Sequence, residues 1–155
     1  MKITLLKKKS LLSFIENSIK GGNNYLWRNL FARDENGNVF DILQNGNVSC
    51  GVFVSTLLLN LELIKRPHAT VGGVEGDLIG SGWLETKNLE SGAVLIWEEK
   101  TFGDGSKHRH IGFYVGNDEA ISNSTEVGFP ARHHVTYDGT RKLEKIYWHP
   151  DLDKG

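Results

Sequence analysis

The chain begins with an amphipathic segment. The apolar side chains of residues 10–20 fall on one helical face: Leu11, Phe14, Ile15 and Ile19. Ser10 is suited to cap the N-terminus of a helix there, and Gly21 and Gly22 are suited to end it. We therefore predict a short helix over residues 10–20 that packs its apolar face on the rest of the chain.

The pattern then becomes polar before it turns strongly apolar. Residues 21–49 are rich in Gly, Asn and Asp, which predicts a turn-rich connection with a hairpin at Asn36-Gly37. From Gly51 to Ile64 few positions are polar, which predicts a buried helix at the centre of the fold. Residues 70–82 set five glycines around apolar positions and predict a short helix or turn.

Short β-type segments dominate after Trp83. Alternating or β-branched positions predict strands over residues 93–97, 110–115, 119–122, 134–137 and 144–148. Residues 116–118, Gly-Asn-Asp, predict a hairpin turn between the second and third of these strands. Helices followed by strands indicate an α+β fold, with N-terminal helices packed on a small antiparallel sheet. We expect residues 1–155 to form a single domain, with residues 1–20 as an N-terminal helical extension.

Composition narrows the classes of partner. The chain has 155 residues, 39% of them hydrophobic, and a formal net charge of −1. A near-neutral chain lacks the broad basic surface of a nucleic-acid-binding protein. No stretch reaches the roughly 18 apolar residues of a membrane span, so no span is predicted. Polar residues within 10–20 interrupt the apolar core that an export signal needs, so we expect a cytoplasmic location.

Cys50 is the single cysteine of the chain, which excludes an internal disulfide and a cysteine-rich zinc site. It is either a small buried hydrophobe or a reactive thiol. It lies where the polar loop 45–49 meets the predicted buried helix. At a helix N-terminus the unpaired N–H groups and the helix dipole favour a thiolate and can bind an oxyanion. Gly51 would allow a substrate backbone to approach closely.

His110 opens a predicted strand, where its imidazole could reach towards the predicted helix and act as a general base for a thiol. Ser122 ends the next strand and Asn123 follows it. A neutral polar side chain at either position could orient the imidazole, as the third member of a catalytic triad does.

Four histidines lie in two short groups, His108 with His110 and His133 with His134. Their spacing matches no recognised metal-ligand pattern, so no metal site is predicted and no cofactor is expected. We expect His133 and His134 to be polar residues at the rim of the site, one of which could line the cleft.

Four segments together resemble the NlpC/P60 cell-wall peptidases. In chain order they are Tyr25-Leu26-Trp27 and residues 48–54, 91–97 and 110–117. The similarity runs from about residue 21 to residue 123 and extends to the related papain-like group that includes the CHAP amidases. The resemblance implies a papain-like fold.

Three catalytic roles follow from the resemblance. Cys50 would be the nucleophile and His110 the base. Tyr25 would assist the backbone N–H of Cys50 in binding the oxyanion. The resemblance implies amide-bond hydrolysis in a peptide or a peptidoglycan fragment.

The third polar residue of the family falls on Ser122 by direct count, or on Asn123 if the strand holds a one-residue bulge. Ser49 stands where the family commonly has an Asp implicated in binding the free amine of a stem peptide. Two alternatives to a cysteine peptidase or amidase stay open. One is an acyltransferase on the same fold, and the other is a catalytically inactive module that binds peptide in the same cleft.

Overall fold

The computed structural model describes residues 1–154 and has an α+β architecture. Its regular elements are α1 (Lys7–Asn17), β1 (Phe31–Arg33), β2 (Val39–Asp41), α2 (Cys50–Leu59), α3 (Val71–Gly80), β3 (Leu84–Thr86), β4 (Val94–Thr101), β5 (Lys107–Gly116), β6 (Glu119–Asn123), β7 (Pro130–His134), β8 (Leu143–Trp148) and a final 3-10 turn (Pro150–Asp153). Strands β1 and β2 form a separate hairpin. The other six strands form one antiparallel sheet in the order β3-β8-β4-β5-β6-β7.

The main core lies between the helices and one face of this sheet. Helix α2 is apolar on nearly every side and packs between α1, α3 and strands β5 and β6. Leu11 and Ile15 of α1 are fully buried in the same cluster. The first helix therefore packs its apolar face into the main core, as its amphipathic pattern predicted.

A second, smaller apolar cluster covers the opposite face of the sheet around Trp97. Side chains alternate between faces along a strand, so the register decides which residues meet there. Trp97 lies directly opposite His110 on β5, and Gly112 lies against Ser122 on β6. His110 and Ser122 thus project from the Trp97 face, and Asn123 projects from the opposite face.

Several predicted elements are confirmed. The apolar run forms α2, residues 70–82 contain α3, and the hairpin at Asn36-Gly37 joins β1 to β2. Asn117 and Asp118 connect β5 to β6 with φ of 53° and 59°. Two consecutive positive φ values are what a two-residue hairpin turn requires.

The ends of the helices differ from the prediction. Helix α1 begins at Lys7, so Ser10 lies inside it and does not cap it. Helix α2 ends at Leu59 rather than continuing to residue 64. The N–H of Leu61 bonds to the carbonyl of Leu58, and Glu62 has φ of 56°, so the chain reverses while its apolar residues stay buried.

One predicted strand is wrong. Residues 135–140 form a turn, and the strand precedes them as β7, Pro130–His134. Pro130 lowered the strand propensity of this segment, but it is the first residue of an edge strand, where proline is tolerated. The short strand β3 was not predicted. Within residues 1–154, no helix is long and apolar enough to cross a membrane.

Candidate active site

A cleft of about 570 Å³ contains both Cys50 and His110 in its wall. Its other walls come from the loop before α2, the start of α3, the β4–β5 hairpin, the loop after β6 and Arg141. The two residues predicted to act as nucleophile and base therefore face one common space.

Cys50 is the first residue of α2, as the pattern predicted, and it is half-buried against the main core. Ser49 holds the N-cap position with φ of −90° and ψ of 0°, but its side chain makes no capping hydrogen bond. Ser49 is fully buried, and its Oγ has no partner within residues 1–154. The serine side chain therefore does not face the cleft as a substrate contact.

Burial raises the pKa of the Cys50 thiol above its usual range. Three groups lower this pKa: the neighbouring N–H groups of Ile111 and Gly51 and the positive charge of Arg141. Their combined effect on the pKa is smaller than that of burial. The prediction that the helix N-terminus favours a thiolate is therefore wrong for the resting protein. The local dipole is present, but desolvation of the charged form outweighs it.

Gly51 serves packing rather than substrate approach. A Cβ atom at this position would lie 3.1 Å from the backbone of Thr70 and 3.2 Å from that of Ala69. The absence of a side chain lets the first turn of α2 lie against the segment that leads into α3.

His110 belongs to a buried polar network on the Trp97 face of the sheet. Its Nε2 lies 2.9 Å from the Oγ of Ser122. The same Oγ lies 2.7 Å from Nε2 of His133 and 3.2 Å from the hydroxyl of Tyr137. His110 and Ser122 are 4% and 1% exposed, so water does not compete freely for these bonds.

The direction of each hydrogen bond in this network follows from the bond between His133 and the backbone carbonyl of His134. Nδ1 of His133 lies 2.8 Å from the carbonyl of His134, which can only accept, so Nδ1 donates. Burial lowers the pKa of His133, so its ring is neutral near pH 7 and its Nε2 is an acceptor. The hydroxyl of Ser122 must then donate to His133. The two lone pairs of Ser122 are left to accept from His110 and Tyr137.

This assignment fixes the tautomer of His110. Its Nε2 carries the proton and donates it to Ser122, so Nδ1 is unprotonated. Nδ1 makes no hydrogen bond with any residue of 1–154 and is not sealed from solvent. The nitrogen that can take up a proton is thus the one left available to the cleft.

Aromatic packing holds the network in place. The rings of His133 and Tyr137 stack with centroids 3.9 Å apart and an angle of 14°. Trp97 packs against both of these rings and against His110 at 5.4 to 5.5 Å, and its Nε1 donates to the carbonyl of Val135. A Cβ atom on Gly112 would lie 2.6 Å from that of Ser122, so this packing requires glycine there.

His110 is neutral in the resting protein. Burial lowers its pKa to about 3, and the positive charge of Arg141, together with that of His133 when its ring is protonated, acts in the same direction. No hydrogen bond joins His110 to Cys50 in the part of the chain that the structure describes. The resting pair is therefore a neutral thiol and a neutral imidazole in one cleft.

The structure separates the two candidates for the third polar residue. Ser122 contacts His110 directly, so the direct count gives the residue that touches the imidazole. Asn123 lies on the other face of the sheet, where its Nδ2 donates to the carbonyl of Gly46 at 2.9 Å. The β5–β6 pairing does shift register between Tyr114 and Gly116, but this irregularity leaves Ser122, and not Asn123, in contact with His110.

Tyr25 is not part of the cleft wall. Its ring packs edge-on against Phe129 at 5.5 Å and lies under the guanidinium of Arg28 at 4.6 Å. The side chain is half exposed. The packing of Tyr25 therefore gives no support to the oxyanion role that the resemblance implied for it.

Three residues of the site were not assigned from the sequence. His133 was expected at the rim, although the structure gives it a bond to Ser122. Tyr137 lies in the turn that replaced a predicted strand, with φ of 53°. Arg141 is 8% exposed and lines the cleft. Of the three, only His133 carried a signal in the sequence, because His133 and His134 were expected at the rim of the site and one of them could line the cleft.

The described residues, 1–154, contain no group of three or more His, Cys, Asp or Glu side chains placed to hold a metal ion. Comparison of the chain with models of known protein families and with curated protein sequences finds no match.

Proposed function

We propose that this protein is a cysteine hydrolase of amide bonds with a papain-like arrangement of the NlpC/P60 type. One observation carries the proposal. The hydrogen-bond chain from the His134 carbonyl through His133 and Ser122 leaves Nδ1 of His110 unprotonated, in the same cleft as the Cys50 thiol. A base in the correct tautomer and a nucleophile at a helix start are the parts that thiol catalysis needs.

The proposed reaction begins with proton transfer. Nδ1 of His110 takes the proton of the Cys50 thiol, and the sulfur forms a bond to the carbonyl carbon of the substrate. The backbone N–H of Cys50, at the N-terminus of α2, is suited to stabilise the resulting oxyanion. The imidazolium then donates its proton to the leaving amine as the C–N bond breaks. Water attacks the thioester, and the thiol and a carboxylic acid are released.

Because Cys50 and His110 are both neutral in the resting protein, the proton moves from the thiol to the imidazole only after the substrate has bound. Closing the cleft with a substrate brings the reacting groups together, and catalytic hydrogen bonds often form only in that complex. A cleft of about 570 Å³ suits a short peptide rather than an extended protein surface. The resemblance of the sequence extends the proposed substrate class to peptidoglycan fragments.

The test is cleavage of a mixture of synthetic peptides and of purified peptidoglycan, with new amine termini identified by mass spectrometry. We expect cleavage by the native protein and none by Cys50→Ala or His110→Ala. Ser13→Ala is a matched control, because Ser13 is exposed on α1 and far in sequence from the site. Cleavage that persists in Cys50→Ala would contradict the proposal. Product that forms only when an amine acceptor is added would instead indicate acyl transfer.

A second candidate is a module that binds a peptide without cleaving it. The missing hydrogen bond between Cys50 and His110 and the raised pKa of the thiol favour this candidate. It predicts that peptides are retained by the native protein and by Cys50→Ala with equal affinity and are recovered intact from both.

A further inference from the structure

Arg141 is a buried cation in the wall of the cleft. It immediately precedes Lys142 and β8 and is 8% exposed. Its Nε donates to the carbonyl of Glu98 at 3.0 Å, and one Nη2 proton goes to the carbonyl of His108 at 2.8 Å. Both acceptors are neutral backbone groups on neighbouring strands.

No carboxylate within residues 1–154 forms an ion pair with this guanidinium. The side chain of Glu98 acts on it only from a distance, and one of its oxygens accepts the N–H of Lys142. Buried charges are normally paired, because desolvation without an opposite charge is costly. The positive charge of Arg141 is therefore left uncompensated beside Cys50.

The two hydrogen bonds to backbone carbonyls use only part of the hydrogen-bonding capacity of the Arg141 guanidinium. The pairing of β4 with β5 shifts register between Trp97 and Lys100, and Arg141 ties the Glu98 carbonyl of this irregular stretch. That structural role occupies Nε and Nη2. Nη1 makes no hydrogen bond within residues 1–154, is not sealed from solvent, and belongs to a residue of the cleft wall.

None of the other charged side chains that line the cleft neutralises the charge of Arg141. Arg109 is paired with Glu75 at 2.9 Å, and Lys107 is exposed on the hairpin. The carboxylates Glu99, Asp104 and Glu126 also line the cleft, but all three are exposed at its rim. The buried end of the cleft is thus positive, and its outer edge carries both signs.

We propose that Arg141 is a specificity residue that binds a carboxylate of the substrate next to the scissile amide. The inference rests on the proposed function and names the substrate class as peptides with a negative group beside the cleaved bond. An arginine fork matches a carboxylate in shape and charge, and a charge-assisted bond in a buried site is stronger than a neutral one. The carboxylate is either an acidic side chain or a free C-terminus.

The test uses N-acetylated tetrapeptide mixtures in matched pairs. In the first pair, one mixture has Glu and the other has Gln at the position under test, each position is tested in turn, and the C-terminus is amidated. The other pair contains no acidic side chain and differs by a free against an amidated C-terminus. Retention by Cys50→Ala is measured as binding, and cleavage by the native protein is measured as kcat and KM. We expect about tenfold or greater preference for the carboxylate member of one pair, and the pair identifies its source.

Arg141→Gln and Arg141→Lys separate this role from two others. We expect the preference to disappear in Arg141→Gln through a rise in KM for the carboxylate peptide alone. Lys142→Gln, which removes the adjacent exposed charge, should retain the preference. Arg141→Lys should keep part of it, since a lysine retains the charge but not the fork.

Three results would overturn the inference. One is an equal loss of kcat on both members of a pair in Arg141→Gln. This result would mean that Arg141 stabilises the Cys50 thiolate and does not bind the substrate carboxylate. Another is the absence of any preference in the native protein, a result that does not depend on whether a variant folds. The third is a preference unchanged in a folded Arg141→Gln. Binding without cleavage would instead contradict the proposed hydrolase and leave the carboxylate preference measurable in Cys50→Ala.

Discussion

Ser122→Ala tests the hydrogen-bond network on which the proposed function depends. The hydroxyl of Ser122 is 1% exposed and forms hydrogen bonds to His110, His133 and Tyr137 at 2.9, 2.7 and 3.2 Å. The substitution removes the one group that joins these three side chains. It creates almost no cavity, because only one oxygen atom is deleted.

The expected cost follows from these contacts. Each intramolecular hydrogen bond contributes about 1 kcal/mol net, so the loss of three lowers the free energy of unfolding by roughly 3 kcal/mol. Without the Ser122 oxygen as acceptor, the Nε2–H tautomer of His110 loses the hydrogen bond that stabilises it over the Nδ1–H tautomer. We therefore expect the ring to populate both tautomers. Because part of the population keeps the productive tautomer, kcat on any cleaved peptide should fall roughly 10- to 100-fold, which is less than the loss of about 10²- to 10⁴-fold expected when a general base is removed.

Nitrogen-15 NMR of the histidine side chains at pH 7 measures the tautomers directly. In the native protein we expect Nε2–H for His110 and Nδ1–H for His133, two opposite tautomers in contact through one hydroxyl. Urea unfolding gives the stability change, with Ser13→Ala within about 0.5 kcal/mol of the native protein as control. An Nδ1–H tautomer or an imidazolium at His110 in the native protein would contradict the hydrogen-bond directions assigned to this network.

Three further predictions concern the same site. Because burial lowers the pKa of His110 from 6.5 to about 3, its contribution to stability is complete above pH 6.5 and is lost as the pH falls towards 3. Between pH 6.5 and 5 the free energy of unfolding should drop by about 2 kcal/mol in urea titrations, and His110→Gln should flatten this slope. The raised pKa of Cys50 predicts iodoacetamide labelling at pH 7 slower than that of a free thiol, rising above pH 9, and an inflection below pH 8.5 would contradict it. Gly112→Ala, whose Cβ would lie 2.6 Å from that of Ser122, should cost about 1–3 kcal/mol by thermal unfolding and lower kcat. The helical control Gly76→Ala, with no atom within 4 Å, should instead gain up to about 1 kcal/mol.

The elements that carry Cys50 and His110 follow from local patterns along the chain. The apolar run after the polar loop is several residues too long for a buried strand and so predicts a buried helix. The position of Cys50 at a helix start was therefore predictable. The alternation after His110 and the turn at Asn117-Asp118 likewise fixed a hairpin. These signals are local, because helix and strand periodicity are read over about ten residues.

The chemistry around those two residues depends instead on long-range packing. The helix dipole predicted a lowered pKa for Cys50, but the depth of burial reversed the direction. Ser122 and Asn123 are adjacent in sequence, and the sheet face chose between them. His133, Tyr137 and Arg141 reach the site through strand pairing and a turn, contacts that no local pattern encodes. The sequence could name a thiol and an imidazole, whereas long-range packing sets their protonation and supplies the buried positive charge beside them.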